Sequence, residues 1–242
     1  MKLSLLLLSS MLTMPALAMA QEAQTLQAPA VAAEQLAAPV LAPITDNAQL
    51  DEAIRGLQND WAAIKYQEPN EDTQLNQMKK LAGTAAQVEA QYPNYAEPKI
   101  WHAIILSTVA GMDGGLGALD YATEAKGLLE QAIKINDKAL EGSAYTSLGT
   151  LYYKAPMWPI AFGDNAKARA YLEQARAINP NGIDPNYFYG DFLVGTGHAS
   201  EAIPVLEHAL QAAPRPGREV ADEGRRKEIN AALLQAREEA AE

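Results

Sequence analysis

Hydrophobic residues recur every three or four positions over most of the chain beyond Asn47, as they do on one face of an α-helix. The first stripe comprises Leu50, Ile54, Leu57, Trp61 and Ile64. A second stripe comprises Leu75, Met78, Leu81, Ala85 and Val88. Alternating β-branched runs are absent, and glycine or proline follows segments of helical length, so the pattern predicts helices and not strands.

Part of this pattern repeats along the chain at an interval of 34 residues. The positions Gly163, Ala168, Leu172, Ala175 and Pro180 recur as Gly197, Ala202, Leu206, Ala209 and Pro214. An earlier and looser copy has Ala125, Leu129 and Ala132 at the same spacing, with Asp137 in place of the proline. Five coincidences at one period indicate a repeat architecture.

The repeated unit resembles the tetratricopeptide repeat, whose second helix carries Ala-x3-Leu-x2-Ala-x4-Pro in a 34-residue period. The first helix is also similar: Tyr145-x2-Leu148-Gly149-x2-Tyr152 matches the family's aromatic-x2-Leu-Gly-x2-Tyr pattern. Partial matches begin at Trp101 and Asn186. The resemblance implies an all-α solenoid of about four helix pairs plus a C-terminal capping helix. Whether residues 47–93 form a true repeat stays open.

Packing physics supports the same architecture. Small residues at helix contacts, such as Gly149, Gly190 and Ala168, allow a close approach of about 8 to 10 Å between helix axes. The last pair of a solenoid needs a cap with a polar outer surface. Residues 215–242 fit that role, with Ile229, Leu233 and Ala236 facing inward. The charged residues of this segment are expected to stay solvated: Arg225, Arg226, Lys227, Glu228, Arg237, Glu238 and Glu239.

The N-terminus predicts export. Lys2 precedes an apolar run from Leu3 to Leu12, and the small residues of Ala16–Ala20 favour cleavage after Ala20. The run is shorter than the roughly 20 residues that span a bilayer, so we expect a cleaved signal peptide and no stable membrane insertion. No cysteine is available for a lipid anchor. The expected location is the periplasm.

The segment from residue 21 to 45 is rich in Ala, Pro and Gln and is interrupted by Pro29, Pro39 and Pro43, so it is predicted to be a disordered linker. The predicted organisation is therefore a signal peptide at 1–20, this linker at 21–45, helical repeats at 46–214 and the cap at 215–242. Without residues 1–20 the chain has 18 basic against 30 acidic residues, and this net negative charge disfavours nucleic-acid binding.

No constellation for catalysis or cofactor binding is evident. The three histidines show no paired spacing for a metal, and Gly114, Gly115 and Gly117 lack the Gly-Lys-Ser/Thr of a phosphate loop. The carboxylates Asp184, Asp191 and Glu201 are interpreted as solvent-facing or capping groups. We therefore expect no enzyme, no cofactor and no metal site.

One inter-helix loop is longer and more apolar than its counterpart. Gly149 to Ala168 spans 19 positions, whereas Gly190 to Ala202 spans 12. The insertion around residues 154–162 contains Trp158 and Phe162, which either fold back over the third helix pair or contact an apolar ligand, since solenoid insertions often lie on a binding face.

The expected function is that of a scaffold or adaptor that binds a protein or peptide partner in the cell envelope. The family's concave groove is formed by the first helices of the repeats, and the candidate partner-binding residues are His102, Thr146, Thr150, Tyr153, Trp158, Phe162, Tyr187 and Asp191. The alternative is a small-molecule-handling accessory similar to the T component of tripartite ATP-independent transporters, suggested by the Pro-rich apolar insertion. The oligomeric state stays open.

Overall fold

The computed structural model describes residues 41–115 and 117–241. Within them lie α1 (Ala48–Gln67), α2 (Glu71–Gln91), α3 (Ala96–Asp113), α4 (Gly117–Ile135), α5 (Ser143–Lys154), α6 (Asn165–Ile178), α7 (Ile183–Gly195), α8 (Ala199–Leu210) and α9 (Glu219–Glu239). A short 3-10 helix, Ala139–Gly142, precedes α5. The predicted signal peptide and most of the predicted linker, residues 1–40, lie outside the described residues.

Polar side chains begin several of these helices. Asn47 Oδ1 accepts a hydrogen bond from the amide of Leu50 at 3.0 Å, and Asn70 Oδ1 accepts from Thr73 at 2.8 Å. Asp164 caps α6 through the amide of Ala166 at 3.0 Å. Each cap satisfies an amide that has no partner within the first turn, so the helix starts follow from local sequence.

The helices pack as four successive pairs, α1 with α2 through α7 with α8, followed by α9. Outside the helices the described residues contain one isolated β-bridge, between Met157 and Gly163. The predicted all-α solenoid of four helix pairs and a C-terminal cap is confirmed. No helix in the described part of the chain is long and apolar enough to cross a membrane.

The repeat glycines lie where two helices approach most closely. A Cβ at Gly149 would lie 2.7 Å from Leu172 Cγ, and a Cβ at Gly190 would collide with the side chain of Leu206. Leu172 and Leu206 are fully buried. Leu172 and Leu206 are 34 residues apart, and each packs on a glycine of the first helix of its pair. The two glycines are 41 residues apart because the third pair carries the insertion.

The two glycines in the turns between paired helices have different roles. Gly197 has a φ of 76°, a conformation that glycine adopts without strain. Gly163 instead lies against the carbonyl of Ala155, where a Cβ would not fit, and its amide donates to Pro156 O at 2.9 Å. The hydrogen bond from Gly163 to Pro156 closes the loop that contains the seven-residue insertion of the third pair.

The odd-numbered helices form a closed ring. Successive contacts join α1 to α3, α3 to α5, α5 to α7 and α7 to α9, and α9 also contacts α1. The first and last helices meet where the Tyr66 ring lies against Gly224 and its hydroxyl donates to Glu228 Oε2 at 3.2 Å. Lys65 adds an ion pair to Glu228 at 3.3 Å. The even-numbered helices pack outside this ring.

The capping helix is more deeply integrated than the sequence predicts. Its inward stripe of Ile229, Leu233 and Ala236 is buried, as expected. Arg225, however, was expected to be solvated and is only 6% exposed. Arg226 donates to the carbonyls of two residues in and after α8, Leu210 and Ala212. Because α9 also contacts α1, part of its polar face is interior, and the solvated face is narrower than predicted.

The last residues of the predicted linker belong to the folded unit. The amides of Ile44 and Thr45 both donate to the Asp51 carboxylate at 2.7 Å. Burial alone would raise the pKa of Asp51. These two bonds and a third from the Thr45 hydroxyl hold that pKa below its usual value. At least Ile44 and Thr45 of the predicted linker are therefore held against α1, and the boundary itself stays a prediction.

Candidate functional site, the groove inside the ring

The ring of odd-numbered helices encloses a groove of about 1240 Å³. Its wall is built from side chains on each helix of the ring, and it includes Trp61 and Lys65 of α1, Trp101 and Thr108 of α3, Thr146 and Thr150 of α5, Tyr187 and Asp191 of α7, and Arg225 of α9. Residues 212–218, between α8 and α9, form one edge of the groove together with Leu41 and Ile44.

The wall of the groove has two kinds of surface. On one side, Trp61 and Trp101 pack edge to face with ring centroids 6.0 Å apart, and Trp61 Nε1 donates to Thr108 Oγ1 at 2.9 Å. On another side, α5 presents hydroxyls one turn apart, and Thr150 donates to the carbonyl of Thr146 at 2.8 Å. The groove therefore offers both apolar surface and hydrogen-bonding groups to a ligand.

A half-buried ionic cluster closes one side of the groove. Asp184 accepts from Arg215 at 2.7 Å and from Arg225 at 2.8 Å. Arg215 also pairs with Asp222 at 2.6 Å, and Arg225 pairs with Glu228. Burial alone would raise the pKa of Asp184. The guanidinium groups of Arg215 and Arg225 hold that pKa well below its usual value. Asp184 is thus half-buried in the first turn of α7 and pairs with two arginines, a partnership that its interpretation as a solvent-facing or capping group did not include.

Aromatic rings hold Arg225 in place within this cluster. Its guanidinium carbon lies 4.4 Å from the centroid of Tyr187 and 4.5 Å from that of Phe188. Burial raises the pKa of Tyr187, so its hydroxyl stays neutral near pH 7. The cluster thus joins α7 to α9 and fixes the wall of the groove.

The groove carries a surplus of positive charge in an otherwise acidic protein. Six cationic residues line it, namely Arg55, Lys65, Lys154, Arg215, Arg218 and Arg225. Four anionic residues line it, namely Glu141, Asp184, Asp191 and Glu228. The whole chain has a net charge of −11, so the groove lining is opposite in sign to the protein as a whole.

Four of the predicted partner-binding residues line the groove: Thr146, Thr150, Tyr187 and Asp191. Asp191 pairs with Lys154 at 2.8 Å, which joins the ends of α5 and α7. All four lie on the first helices of their pairs, away from the small residues that face the partner helix. The structure brings them together on the inner wall.

His102 and Tyr153 do not line the groove. His102 is 4% exposed, and its Nδ1 lies 2.9 Å from Glu89 Oε2 of α2, so it belongs to the α2–α3 contact. Tyr153 packs edge to face on Phe192 with centroids 5.4 Å apart, between α5 and α7. Both side chains therefore contribute to packing between helices.

The apolar insertion divides into a packed part and an exposed part. Phe162 packs on Tyr152 with centroids 5.5 Å apart, as the predicted fold-back over the third pair requires. Trp158 is 85% exposed and Ile160 is 67% exposed, so these two residues do not fold back over the third pair. Neither Trp158 nor Phe162 lines the groove.

Several groove residues that sequence reasoning missed nevertheless carry a signal. Trp101 opens the partial first-helix match in the second repeat, and Trp61 belongs to the first amphipathic stripe. The arginines at 215, 218 and 225 cluster near a proline-rich turn in an acidic chain. This local excess of positive charge is the one signal that points to the edge of the groove.

The described residues contain no group of three or more His, Cys, Asp or Glu arranged to hold a metal ion.

Residues 160–222 match the family model of the tetratricopeptide repeat. The resemblance that the 34-residue period indicates is thereby confirmed for the segment that holds α6, α7 and α8, and the fold is a tetratricopeptide repeat solenoid. No curated protein matches the chain. The similarity to the T component of tripartite ATP-independent transporters receives no support from these comparisons.

Solved structures of tetratricopeptide repeat proteins are similar to this chain. A thermophilic TPR protein of Thermus thermophilus is similar with a TM-score of 0.50 at 16% identity, over 74% of this chain and 99% of that chain. YrrB, described as a TPR protein with an unusual peptide-binding site, is a weaker match with a TM-score of 0.39 at 17% identity, over 78% of this chain and 91% of that chain.

Proposed function

We propose that this protein is a scaffold that holds a segment of a partner protein in the groove of its helical ring and catalyses no reaction. The observation that carries the proposal is the groove itself, which is lined by all five odd-numbered helices and measures about 1240 Å³. Pockets for small molecules typically measure about 300 to 1,000 Å³, so this groove has room for several residues of a peptide.

The lining suits a peptide in chemistry as well as in size. Trp61 and Trp101 are 6% and 4% exposed, so they form a packed apolar part of the lining. The hydroxyls of Thr146 and Thr150 lie on α5, the next helix of the ring after α3. A partner segment placed between these walls would bury apolar groups and keep hydrogen bonds for its backbone.

We further propose that the protein acts in the periplasm and that its partner is a protein of the cell envelope. The support is the N-terminal sequence, with Lys2, the apolar run to Leu12 and the small residues before Gln21. If this is right, the protein recovered from the periplasmic fraction of an expressing bacterium will begin at Gln21. Intact-mass measurement checks this, and a mass that retains residues 1–20 would contradict export by cleavage.

Filling the groove should abolish peptide binding. Peptides of twelve residues selected from a random library on the purified protein provide the ligands, and titration calorimetry provides their affinities. Thr150→Trp places a bulky ring in the groove and should weaken binding by about tenfold or more, which corresponds to about 1.4 kcal/mol.

The control is Gln174→Trp, because Gln174 is exposed on α6 outside the groove. It adds the same ring and should change the affinity by less than about twofold. Equal affinities for the two variants would place the binding surface elsewhere and refute the proposal. A selection that yields no binding peptide would do the same.

A further inference from the structure

The tip of the loop between α5 and α6 is apolar and uncovered. Met157, Trp158 and Ile160 each expose more than half of their surface, and they are three of the five exposed large hydrophobic residues in the described part of the chain. None of the three lines the groove. The largest exposed apolar patch of a folded monomer is often a functional surface, and the groove leaves this one unused.

The base of the loop holds this tip in a fixed position. The amide of Asp164 donates to the carbonyl oxygen of Tyr152 at 2.9 Å. The amide of Gly163 donates to Pro156 O at 2.9 Å, and a β-bridge joins Gly163 to Met157. Because the loop is closed by its own hydrogen bonds, little conformational entropy is lost when the tip binds.

The tip presents few free backbone donors. Pro156 and Pro159 have no amide hydrogen. The amides of Ile160 and Ala161 both donate to the carbonyl oxygen of Met157, at 3.1 Å and 3.4 Å. A backbone donor without a partner is costly in an apolar medium, so this arrangement suits a loop that enters one.

The tip and the surface beside it are close to electrically neutral. Residues 142–163 contain no acidic residue and one basic residue, Lys154, in a chain whose net charge is −11. Lys154 pairs with Asp191 at 2.8 Å, and Lys167 of α6 pairs with Asp164 at 3.7 Å. Each of these charges is thus compensated, so the pattern fits a zwitterionic surface better than a charged one.

A second copy of the chain is a poor occupant of this surface. At no more than about 250 Å² for each side chain, the tip exposes about 500 Å² per molecule. Two tips in contact would bury at most about 1,000 Å², below the roughly 1,200 Å² of the smallest stable interfaces. The other exposed large hydrophobic residues of the described chain are Ile135 on α4 and Leu234 on α9, so no second patch of comparable size receives the tip.

We propose that the tip is a peripheral membrane contact, which places Met157, Trp158 and Ile160 in the interfacial region of a zwitterionic lipid bilayer. Tryptophan is enriched at this depth of membranes because its ring is amphipathic. The Lys154 side chain is long enough to keep its charge in water beside the inserted tip. The tip enters one leaflet without spanning the bilayer, and the contact does not depend on what the groove binds.

Trp158 itself reports the contact. Trp61 and Trp101 are buried, so Trp158 is the exposed one of the three tryptophans. Protein recovered from the periplasmic fraction is mixed with phosphatidylcholine vesicles, with or without bromine atoms on the acyl chains. Tryptophan emission should move to shorter wavelength as lipid is added, reach saturation, and be quenched by the brominated lipid. Emission that responds to neither lipid would overturn the proposal.

Trp158→Ser should weaken vesicle binding, measured by flotation, by about tenfold or more, because one large apolar side chain is withdrawn from lipid. Ile160→Ser tests a second position of the tip and should also weaken binding. Trp158→Phe should keep most of the flotation and lose the change in emission. Leu234→Ser is the matched control, since it removes an exposed apolar side chain from α9 and should change binding by less than about twofold.

Equal flotation of Trp158→Ser, Ile160→Ser and the parent would show that another part of the chain binds lipid, and it would overturn the proposal. The exposed position of Trp158 predicts that Trp158→Ser melts within about 2 °C of the parent by circular dichroism. A larger drop would mean that Trp158 supports the fold, and Ile160→Ser would then decide the outcome.

Other occupants of the tip give different results. Adding anionic phosphatidylglycerol should not strengthen binding, because the protein has a net charge of −11. Binding that requires the anionic lipid and falls with salt would overturn the zwitterionic assignment. Light scattering without vesicles tests self-association, and a dimer that Trp158→Ser dissociates would assign the tip to a second copy. A monomer that does not float with vesicles would also overturn the membrane contact.

Discussion

Replacing Gly149 by leucine should lower the melting temperature by about 6 to 12 °C. A Cβ at this position would lie 2.7 Å from Leu172 Cγ and 3.0 Å from the carbonyl oxygen of Ala168, so a side chain meets backbone as well as side-chain atoms. Overpacking typically costs about 1 to 3 kcal/mol, and a contact with backbone places this site at the upper end. In a protein of this size about 1 kcal/mol changes the melting temperature by about 2 to 4 °C.

Gly83→Leu is the matched control, because Gly83 lies exposed in α2 and a Cβ added there would meet no neighbouring element within 4 Å. The same substitution there replaces a poor helix former and should stabilise the protein by about 0.5 to 1 kcal/mol. Thermal unfolding followed by circular dichroism compares the two variants. Equal melting temperatures would show that the close contact between α5 and α6 is misassigned.

The helix pairs could be predicted because their determinants are local. The 34-residue period places Leu172 and Leu206, and each of these leucines packs on a glycine of its own helix pair, Gly149 or Gly190. Ring closure could not be predicted in this way. It depends on Tyr66 meeting Gly224 across the whole length of the repeat array, and no periodicity links the two positions.

The groove was predicted in part for a related reason. Thr146 and Thr150 lie on the face of α5 opposite its packing glycine, so their position follows from helical spacing. His102 was misplaced because α3 contacts α1, α2, α4 and α5 and is buried over much of its circumference, so spacing does not identify its inner face. Arg218 lies outside the repeats, where the period carries no information.

Truncation after Pro216 should have the largest effect of all. It removes α9, whose Ile229 is fully buried and whose Leu233 is 4% exposed. Burying one such side chain contributes about 1.5 to 3 kcal/mol, so the loss of two removes about 3 to 6 kcal/mol from a total stability of about 5 to 15 kcal/mol. The truncated protein should aggregate or melt roughly 10 °C or more below the parent.

The loss is expected to exceed that of an ordinary terminal cap because α9 contacts α8, α7 and α1. Its removal takes Arg225 from Asp184 and from the rings of Tyr187 and Phe188, and it opens the ring beside Tyr66. Both ends of the solenoid are then exposed, whereas truncating an open solenoid exposes one.

Substitutions at two adjacent leucines of α9 test whether the stability depends on buried side chains or only on the length of the chain. Leu233→Ala empties a buried site and should cost about 2 to 5 kcal/mol, whereas Leu234 is 61% exposed and Leu234→Ala should cost less than about 0.5 kcal/mol. Circular dichroism and light scattering on the truncated, substituted and parent proteins provide the measurements. A truncated protein that stays monomeric and melts like the parent would mean that α9 does not close the ring in solution. The groove would then be open on the side of α1, and a partner segment would contact Tyr66 and Lys65 directly.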